Sequence, residues 1–525
     1  MKFRGLVALG VVGAVAVACT GEDPTLGGTS SGGLDAGVVS PGLGGATLVI
    51  DDAVLGAKPA DTIHNRITVQ RKGVTGEIVV TVPELPANVT AAPLTIPEGS
   101  SEGDLVLTAT IDAKAARITL NLQADVDGTT VKHATPLVVR GRAGTRDETT
   151  SALGVSPINV ATTLDVPLVV DEAERIYVLG NGCTIERHLA TGAVDTLEVP
   201  PIDSQTTGML GKRPVCSRLA VRGGTLAFAG LAQDNDGGAF AFVLRMALDG
   251  AVAPNPYFGE LVTAQAGQRS AFAGGIALDA DGTARLGVES FAGYFFRELH
   301  VVGVDGVRKN TPQQMEIGGS NASWAFPADG GGRVFVQVSN QLNDGAFDKD
   351  GRLDPNYTAF GKIGYSVSSG AGIPQGNMET HAMALDASGH AIGAAAAYQP
   401  GNPGTKRRIF LASHSVKDGW VHPMPGTFID FSDTPSGTDS YRYAQVAIDP
   451  ATGAIVTGGR DANGPFLRRF TANGQPDVAF GTDGFQRFPD FGAGFQVYGL
   501  VLQRDGAVAL VNNGTGGKNL VRFWM

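Results

Sequence analysis

A phrase of two short apolar runs joined by a turn recurs along most of this chain, and it constrains the fold more than any other feature. Its clearest copy, residues 444–481, has two alternating apolar runs around a Pro-Ala-Thr-Gly turn, a third run, an Asn-Gly turn and a closing Phe-Gly. This pattern predicts a small antiparallel sheet. Because one such sheet cannot bury both of its faces, the copies must stack against one another.

The number and spacing of the copies predict the architecture. Seven hairpin phrases can be counted, and they begin at Leu168, Leu219, Ile276, Trp324, Met383, Val446 and Leu500. Irregular loops around a common unit of about 55 residues fit a propeller better than a uniform solenoid. The sequence therefore predicts a seven-bladed β-propeller over residues 153–525.

The two ends of the repeat region predict how the ring closes. The last unit has strands beginning near Leu500 and Ala507 and a third at 519–523, with no fourth to follow. A missing outer strand would leave an exposed sheet edge. The segment 154–163, which precedes the first phrase, is available for that place, so we expect the two ends to pair.

A second phrase follows the hairpin in residues 244–259, 345–361 and 467–481, where an Asp-Gly or Asn-Gly turn is followed by Phe-Gly. These units resemble the delta-60 repeat family of bacterial propeller-like repeats. The positions that carry the resemblance are Asp249-Gly250 with Phe258-Gly259, Asp350-Gly351 with Phe360-Gly361, and Asn473-Gly474 with Phe480-Gly481. The resemblance implies a blade architecture and no chemistry, because the family has no common catalytic residues.

Residues 46–140 show period-two alternation in several short runs bounded by turn residues. About seven such strands predict an antiparallel sandwich of immunoglobulin type. The region has no Cys-Trp-Cys core, so it resembles the disulfide-free bacterial relatives. Residues 141–152 contain no apolar run and are predicted to be the inter-domain linker. The expected fold class is therefore all-β, with the immunoglobulin-like domain preceding the propeller.

Residues 1–19 have the pattern of an export signal, with Lys2 and Arg4 before an uncharged run. The sequence at 16–19, Ala-Val-Ala-Cys, resembles the bacterial lipoprotein cleavage box and implies a lipid on Cys19, although Ala16 stands where Leu is usual. The alternative is an ordinary secretory signal with an incidental cysteine. Thr20, which is not the aspartate associated with inner-membrane retention, favours the outer membrane. The Gly-, Ser- and Thr-rich residues 20–45 predict a flexible tether.

The composition excludes some functions. A formal net charge of -11 gives no basic footprint for nucleic acid, so no nucleic-acid partner is expected. A chain with 43% apolar and 17% charged residues has ample material for packed cores.

Cys183 and Cys216 are the two cysteines left beside Cys19. An exported chain reaches an oxidising compartment, where a disulfide between them could join the first two blades. Two buried free thiols are the alternative. No histidine is locally paired with either cysteine, which argues against a catalytic thiol.

Acidic turns offer one weak metal candidate. Asp348, Asp350 and Asp354 resemble the start of a calcium loop, but the third ligand before the glycine and the distant glutamate of an EF-hand are missing. Asp-Gly also suits a hairpin turn, and this structural interpretation is favoured. The eight histidines have no zinc-site spacing, and no motif predicts a cofactor or a catalytic group.

Two functions remain open. The first is a binding or scaffold lipoprotein of the cell envelope that presents its propeller to a protein or glycan partner. The alternative is an extracytoplasmic hydrolase or lyase with an active site at the propeller mouth. Converging His, Asp, Glu or Arg side chains in a deep central pocket would favour the enzyme, whereas a broad aromatic patch on the loops would favour binding.

Overall fold

The computed structural model covers the chain in a series of segments. It describes residues 47–50, 55–126, 128–151, 155–159, 168–189, 192–197, 213–233, 239–248, 251, 256–259, 271–291, 295–316, 322–327, 332–338, 344–354, 362–363, 377–398, 407–414, 421–427, 429–431, 442–461, 463–488, 490–491, 495–512 and 518–525. The predicted signal segment, Cys19 and the tether lie outside these residues.

The fold is all-β. The described residues form nine small sheets, with short 3₁₀ helices at Asn181–Cys183 and Pro425–Thr427. Glycines and polar turn residues between short alternating runs account for this, since they end each strand before it can lengthen.

The first nine strands form two sheets that share one core. They are β1 (Thr47–Ile50), β2 (Leu55–Ala57), β3 (Asp61–Lys72), β4 (Ile78–Thr81), β5 (Val89–Ala91), β6 (Leu94–Ile96), β7 (Glu102–Ala109), β8 (Ala116–Val126) and β9 (Thr129–Val139). One sheet has the order β1-β3-β7-β5 and the other β2-β9-β8-β4-β6. Alternate apolar residues, such as Ile67, Leu105 and Leu122, meet in a single buried cluster between the sheets.

A short strand, β10 (Val155–Pro157), separates this pair of sheets from seven further sheets, numbered here by their first strands. Sheet 1 contains β11 (Leu168–Val170), β12 (Ile176–Leu179), β13 (Ile185–His188) and β14 (Val194–Leu197); sheet 2 contains β15 (Arg213–Arg222), β16 (Thr225–Gln233), β17 (Ala239–Ala247) and β18 (Tyr257–Gly259); sheet 3 contains β19 (Ala271–Leu278), β20 (Ala284–Phe291), β21 (Phe295–Val302) and β22 (Met315–Glu316).

The remaining sheets repeat this design. Sheet 4 contains β23 (Ala322–Ala325), β24 (Val334–Val338), β25 (Asp344–Phe347) and β26 (Lys362–Ile363); sheet 5 contains β27 (Asn377–Leu385), β28 (Ala391–Tyr398), β29 (Arg407–His414), β30 (Val421–Pro423) and β31 (Ile429–Phe431); sheet 6 contains β32 (Arg442–Ile448), β33 (Ile455–Asp461), β34 (Gly464–Phe470) and β35 (Phe485–Arg487); sheet 7 contains β36 (Gln496–Gln503), β37 (Gly506–Asn512) and β38 (Lys518–Trp524). Each is an antiparallel meander, and in sheet 5 β30 and β31 share the outer edge of β29.

The first strands of the seven sheets contact one another in a closed cycle. β11 contacts β15, each following first strand contacts the next, and β36 contacts β11 again. A separate apolar cluster lies at each of the seven junctions between neighbouring sheets, including one that joins sheet 7 to sheet 1 through Val508, Leu510 and Val178. Both faces of every sheet are therefore covered by its neighbours, as the stacking argument requires.

The missing strand of sheet 7 comes from the segment that precedes sheet 1. β10 pairs antiparallel with β38, with Ser156 opposite Leu520, which is the pairing expected from the sequence. The predicted linker also takes part, because the Gly144 amide donates to the Trp524 carbonyl and the Asp147 amide to the Arg522 carbonyl. Residues 144–147 thus continue the edge that β10 covers.

Candidate functional site

Five of the seven first strands carry a β-bulge at the same point. The bulged residues are Ser217, Gly274, His381, Ala444 and Tyr498. Each lies four or five residues before the last residue of its strand. Bulges bend a strand and redirect its side chains, and they are common beside functional sites. We call these five residues and their immediate neighbours the bulged rim.

Side chains tie neighbouring sheets together at the bulged rim. Arg218, which follows the bulge of sheet 2, donates from Nε to the carbonyl of Gly274, the bulged residue of sheet 3, over 2.6 Å. Gln445 makes the same kind of bond from sheet 6 to the carbonyl of Tyr498 in sheet 7, over 2.8 Å. At these two junctions the carbonyl group of a bulged residue thus accepts a hydrogen bond from the preceding sheet.

The bulged rim also exposes apolar side chains. Val215 and Phe272 lie two residues before the bulges of sheets 2 and 3 and are 56% and 38% exposed. Among the described residues, the other large exposed hydrophobic side chains lie on the first domain, on turns or on an outer strand. An apolar side chain left in water on a first strand suits contact with a partner.

A buried carboxyl group lies directly beside Phe272. Glu289 on β20 is opposite Phe272 in the strand register, and Arg297 on β21 follows in the same row. Trp324 donates from Nε1 to Oε1 of Glu289 over 2.9 Å, and Arg297 Nε lies 3.5 Å from Oε2. Burial raises the pKa of Glu289, although the positive charge of Arg297 acts to lower it. Burial also lowers the pKa of Arg297, because it disfavours the charged form of both groups.

Glycines make room for the Trp324 indole. A Cβ added at Gly274, Gly275 or Gly287 would come within 2.4 to 2.8 Å of the Trp324 side chain. The ring also stacks on Phe347, with 6.1 Å between centroids. The indole N–H is therefore held in place and directed at Glu289. A desolvated carboxyl group with a raised pKa is a feature of acid–base sites, although ion pairs of purely structural role produce it too.

Two pairs of a glutamate and a histidine side chain lie on third strands of the sheets. His188 Nε2 is 2.7 Å from Glu186 on β13, and His300 Nε2 is 2.7 Å from Glu298 on β21. Burial lowers the pKa of both histidines against the neighbouring carboxylates. A neutral ring suits this geometry, because it donates to the carboxylate from Nε2 and leaves Nδ1 as an acceptor.

Both pairs join two sheets. The Tyr257 hydroxyl of sheet 2 is 2.7 Å from His300 Nδ1 in sheet 3. The Asn159 amide, just after β10, donates to Oε2 of Glu186 in sheet 1 over 2.7 Å. The same Glu-x-His device therefore occurs at the junction of sheets 2 and 3 and where sheet 7 meets sheet 1. All four side chains of these pairs are buried, and their hydrogen bonds connect neighbouring sheets.

The sequence-predicted residues lie at separate places. Cys183 and Cys216 form a disulfide with 5.1 Å between their Cα atoms, and it joins the turn after β12 to β15. Asp348 accepts hydrogen bonds from the amides of Asp350 and Arg352 in its own turn.

The other two acidic candidates have cationic partners of their own. Asp350 pairs with Lys349, and the buried Asp354 accepts a hydrogen bond from Arg333. Within the part of the chain that the structure describes, no three His, Cys, Asp or Glu side chains form a group that could hold a metal ion. No helix among those residues is long and apolar enough to cross a bilayer.

The sequence reasoning missed Glu289 and the two Glu-x-His pairs. One signal was available: a Glu-x-His spacing recurs as Glu186-Arg187-His188 and Glu298-Leu299-His300 on the third strand of two units, which places both side chains of each pair on one face of the strand. Charged residues inside buried strands require partners, so they indicate a buried network. No local sequence pattern predicts the hydrogen bond between Glu289 and Trp324, which lies 35 residues away.

No protein-family model matches this sequence, and no curated protein matches it. Among solved structures, a quinoprotein alcohol dehydrogenase-like protein from Bacteroides thetaiotaomicron is similar, with a TM-score of 0.34 and 11% identity over 84% of this chain and 94% of that one. A DUF4623 family protein from Bacteroides eggerthii gives 0.31, at 10% identity over 87% and 89%. An endo-1,5-α-L-arabinanase from Thermotoga petrophila gives 0.25, at 11% identity over 70% and 99%. Similarity at this level assigns neither a family nor an activity to this chain.

Proposed function

We propose that this chain is a lipid-anchored binding or scaffold protein of the bacterial cell envelope, in which an immunoglobulin-like domain carries a seven-bladed β-propeller. The observation that carries the proposal is the bulged rim, where Val215 and Phe272 are exposed on the first strands of a closed cycle of sheets. The partner, a protein or a glycan, binds at this rim.

The strand order of the first domain supports the immunoglobulin-like assignment. In constant-type immunoglobulin domains, strands A, B, E and D form one sheet and C, F and G the other. Seven strands here, β1, β3, β4, β5, β7, β8 and β9, follow that distribution in chain order. β2 and β6 are additions at the two edges of the second sheet.

The junctions between the sheets support the seven-bladed propeller. Seven antiparallel meanders, seven apolar clusters and the contact of β36 with β11 match a closed ring of blades. The pairing of β10 with β38 supplies sheet 7 with its outer strand.

Photo-crosslinking from the bulged rim tests the proposed binding function. A photoreactive residue is placed at Phe272 in one variant and at Val304 in another, a control position in a turn that is more exposed than Phe272. We expect covalent adducts with an envelope protein or glycan from position 272 and far fewer from 304. Adducts of the same identity and yield from both positions, or none from 272, would contradict binding at the rim.

The buried Glu289 favours the second candidate, an extracytoplasmic hydrolase or lyase at the same rim. A raised pKa suits a general acid, and Glu289 lies next to an exposed side chain. Both of its oxygens, however, already face Trp324 and Arg297. Turnover of an envelope glycan that Glu289→Gln abolishes, with binding retained, would establish the enzyme in place of the binding protein.

A further inference from the structure

We propose that the N-terminal sandwich is a clamp on the seam where the ring of sheets closes, so that the closure of the ring depends on docking of the sandwich. The seam is defined here as β10, β38, the linker residues 144–149 and the two turns that carry Glu174 and Asp505. This inference does not depend on which partner the rim binds.

Four charged side chains form a closed cycle at the seam. Arg117 Nη2 lies 3.1 Å from Asp147 Oδ2 and 3.2 Å from Asp505 Oδ2. Arg522 reaches the same two carboxylates, at 2.7 Å to each. Asp147, Asp505 and Arg522 are buried, and the charges of the cycle cancel. Although burial acts to raise it, the pKa of Asp505 is lowered overall by Arg522 and Arg117.

The members of this cycle come from three parts of the chain. Arg117 belongs to β8 of the sandwich, Asp147 to the linker, and Asp505 and Arg522 to sheet 7. Removing one charge from a buried network leaves its partners uncompensated, which destabilises more than losing an exposed pair. Without Arg117, two carboxylates would face one guanidinium at the point where the ring closes.

The backbone around the cycle is paired along the same edge. The Trp524 amide donates to the Thr145 carbonyl, and the Gly144 amide donates to the Trp524 carbonyl. Gly144 has a φ of +83°, and a Cβ there would lie 2.3 Å from the Gly481 nitrogen. The linker is thus held against both sheet 7 and sheet 6, and it transmits the position of the sandwich to the seam.

The sandwich also contacts the last aromatic residue of β38. The Arg117 guanidinium carbon lies 5.3 Å from the Trp524 ring centroid. A Cβ at Gly141, where the sandwich ends, would come within 2.4 Å of the same indole. Trp524 is fully buried, so undocking the sandwich would uncover it.

On the other side of the seam, Glu174 of sheet 1 adopts a conformation that L residues rarely take. Its φ is +65°, at the turn position where Gly282 and Gly389 stand in other units. Its carboxylate accepts a hydrogen bond from the Arg504 amide over 2.9 Å, and its carbonyl accepts one from Gln503. Backbone strain persists where the surroundings enforce it, and here it joins the first sheet to the last.

Hydrogen exchange on the full chain tests the clamp. Arg117→Ala removes the contribution of the sandwich and leaves every seam residue in place. We expect the amides of β10, β38 and residues 503–505 to exchange about tenfold faster or more, while amides of β20 and of β3 keep their rates. Arg66→Ala is the matched control, because Arg66 forms an exposed pair with Glu102 on the same domain.

Two further variants keep the test decisive. Arg117→Lys retains the charge but not the forked geometry, so the seam amides should exchange at a rate between those of the parent and Arg117→Ala. This variant replaces Arg117→Ala in the test if the alanine variant does not fold. Asp505→Asn should also accelerate exchange at the seam. The double variant with Arg117→Ala should lower the free energy of local opening by less than the sum of the two single effects. Unchanged seam rates in Arg117→Ala and Arg117→Lys, or acceleration confined to the sandwich, would overturn the proposal.

Discussion

At the scale of single residues, the two buried Glu–His pairs make hydrogen bonds that cross from one sheet to the next. His300 Nδ1 accepts a hydrogen bond from the Tyr257 hydroxyl of sheet 2, and its Nε2 donates one to Glu298 of its own sheet. A neutral imidazole completes both hydrogen bonds, whereas an additional proton would turn Nδ1 from an acceptor into a donor. These junctions therefore depend on the protonation state of histidine.

Acidification is predicted to weaken the junctions. Burial lowers the pKa of His188 and His300 below the ordinary value of 6.5. Below that value the unfolded chain binds more protons at these sites than the folded chain, so stability falls as the pH drops from about 7 to about 5. The melting temperature measured across this interval should fall less steeply in His300→Gln than in the parent.

His188→Gln is a second variant for this prediction, and because burial also lowers the pKa of His188, its slope should be shallower than that of the parent too. Glu289, whose pKa is raised, acts in the opposite direction but is present in all three proteins and cancels in the comparison. Equal slopes in His300→Gln and the parent would show that His300 does not titrate between the two states.

The residues most open to prediction were those whose role is local. Asp348 and Asp386 accept hydrogen bonds from backbone amides of their own turns, and their Asp-x-x-Gly spacing predicts this in the sequence. Glu289, Arg297 and Trp324 belong to three different strands, and only the stacking of sheets 3 and 4 brings them together. Sequence patterns within one strand carry no information about contacts between side chains of different sheets.

At the scale of elements, the repeated unit is a four-stranded meander whose first strand bends at a bulge. All seven predicted hairpin phrases fall on the first and second strands of the seven sheets. The bulges were not predicted, because a bulge is a mismatch between two strands and leaves alternation in each of them nearly intact. Five of the seven first strands carry a bulge four or five residues before the strand end, which indicates that the bend belongs to the unit.

The disulfide is predicted to stabilise the junction of sheets 1 and 2. Its cysteines are 33 residues apart, and closing a loop of that length contributes on the order of 4 kcal/mol by the loop-entropy model. Cys183→Ser combined with Cys216→Ser should lower the free energy of unfolding in denaturant by up to about that amount. A Cys19→Ser chain is the control. Peptide mapping of the unreduced parent that finds both thiols free would refute the prediction.

At the scale of the whole molecule, sequence periodicity predicted the all-β class and the pairing of 154–163 with the last unit. It did so because alternation and turn chemistry are local, and because an unpaired edge demands a partner. Residues 141–152 were interpreted as a linker, yet 144–147 bond to β38. A segment without an apolar run contains no pattern that predicts backbone hydrogen bonds to a neighbouring sheet.

Membrane attachment is predicted to depend on Cys19. The charged start, the uncharged run and the small residues before Cys19 are the basis of this prediction. Cys19→Ser should leave the membrane fraction or remain unprocessed, whereas Cys216→Ser should stay in the membrane fraction. Fractionation that finds the Cys19→Ser protein processed and membrane-bound like the parent would contradict lipidation.

The central claim is that seven sheets close into a ring through β10, and one cross-link tests it most directly. Ser156 and Leu520 are opposite each other in the antiparallel pair, where Cα atoms lie about 4.5 to 5.5 Å apart, within reach of a disulfide. In a chain carrying Ser156→Cys and Leu520→Cys, mass spectrometry of unreduced peptides should find these two positions joined in the folded monomer. If both new thiols instead remain open to alkylation in the folded, oxidised protein, the ring is not closed in this way.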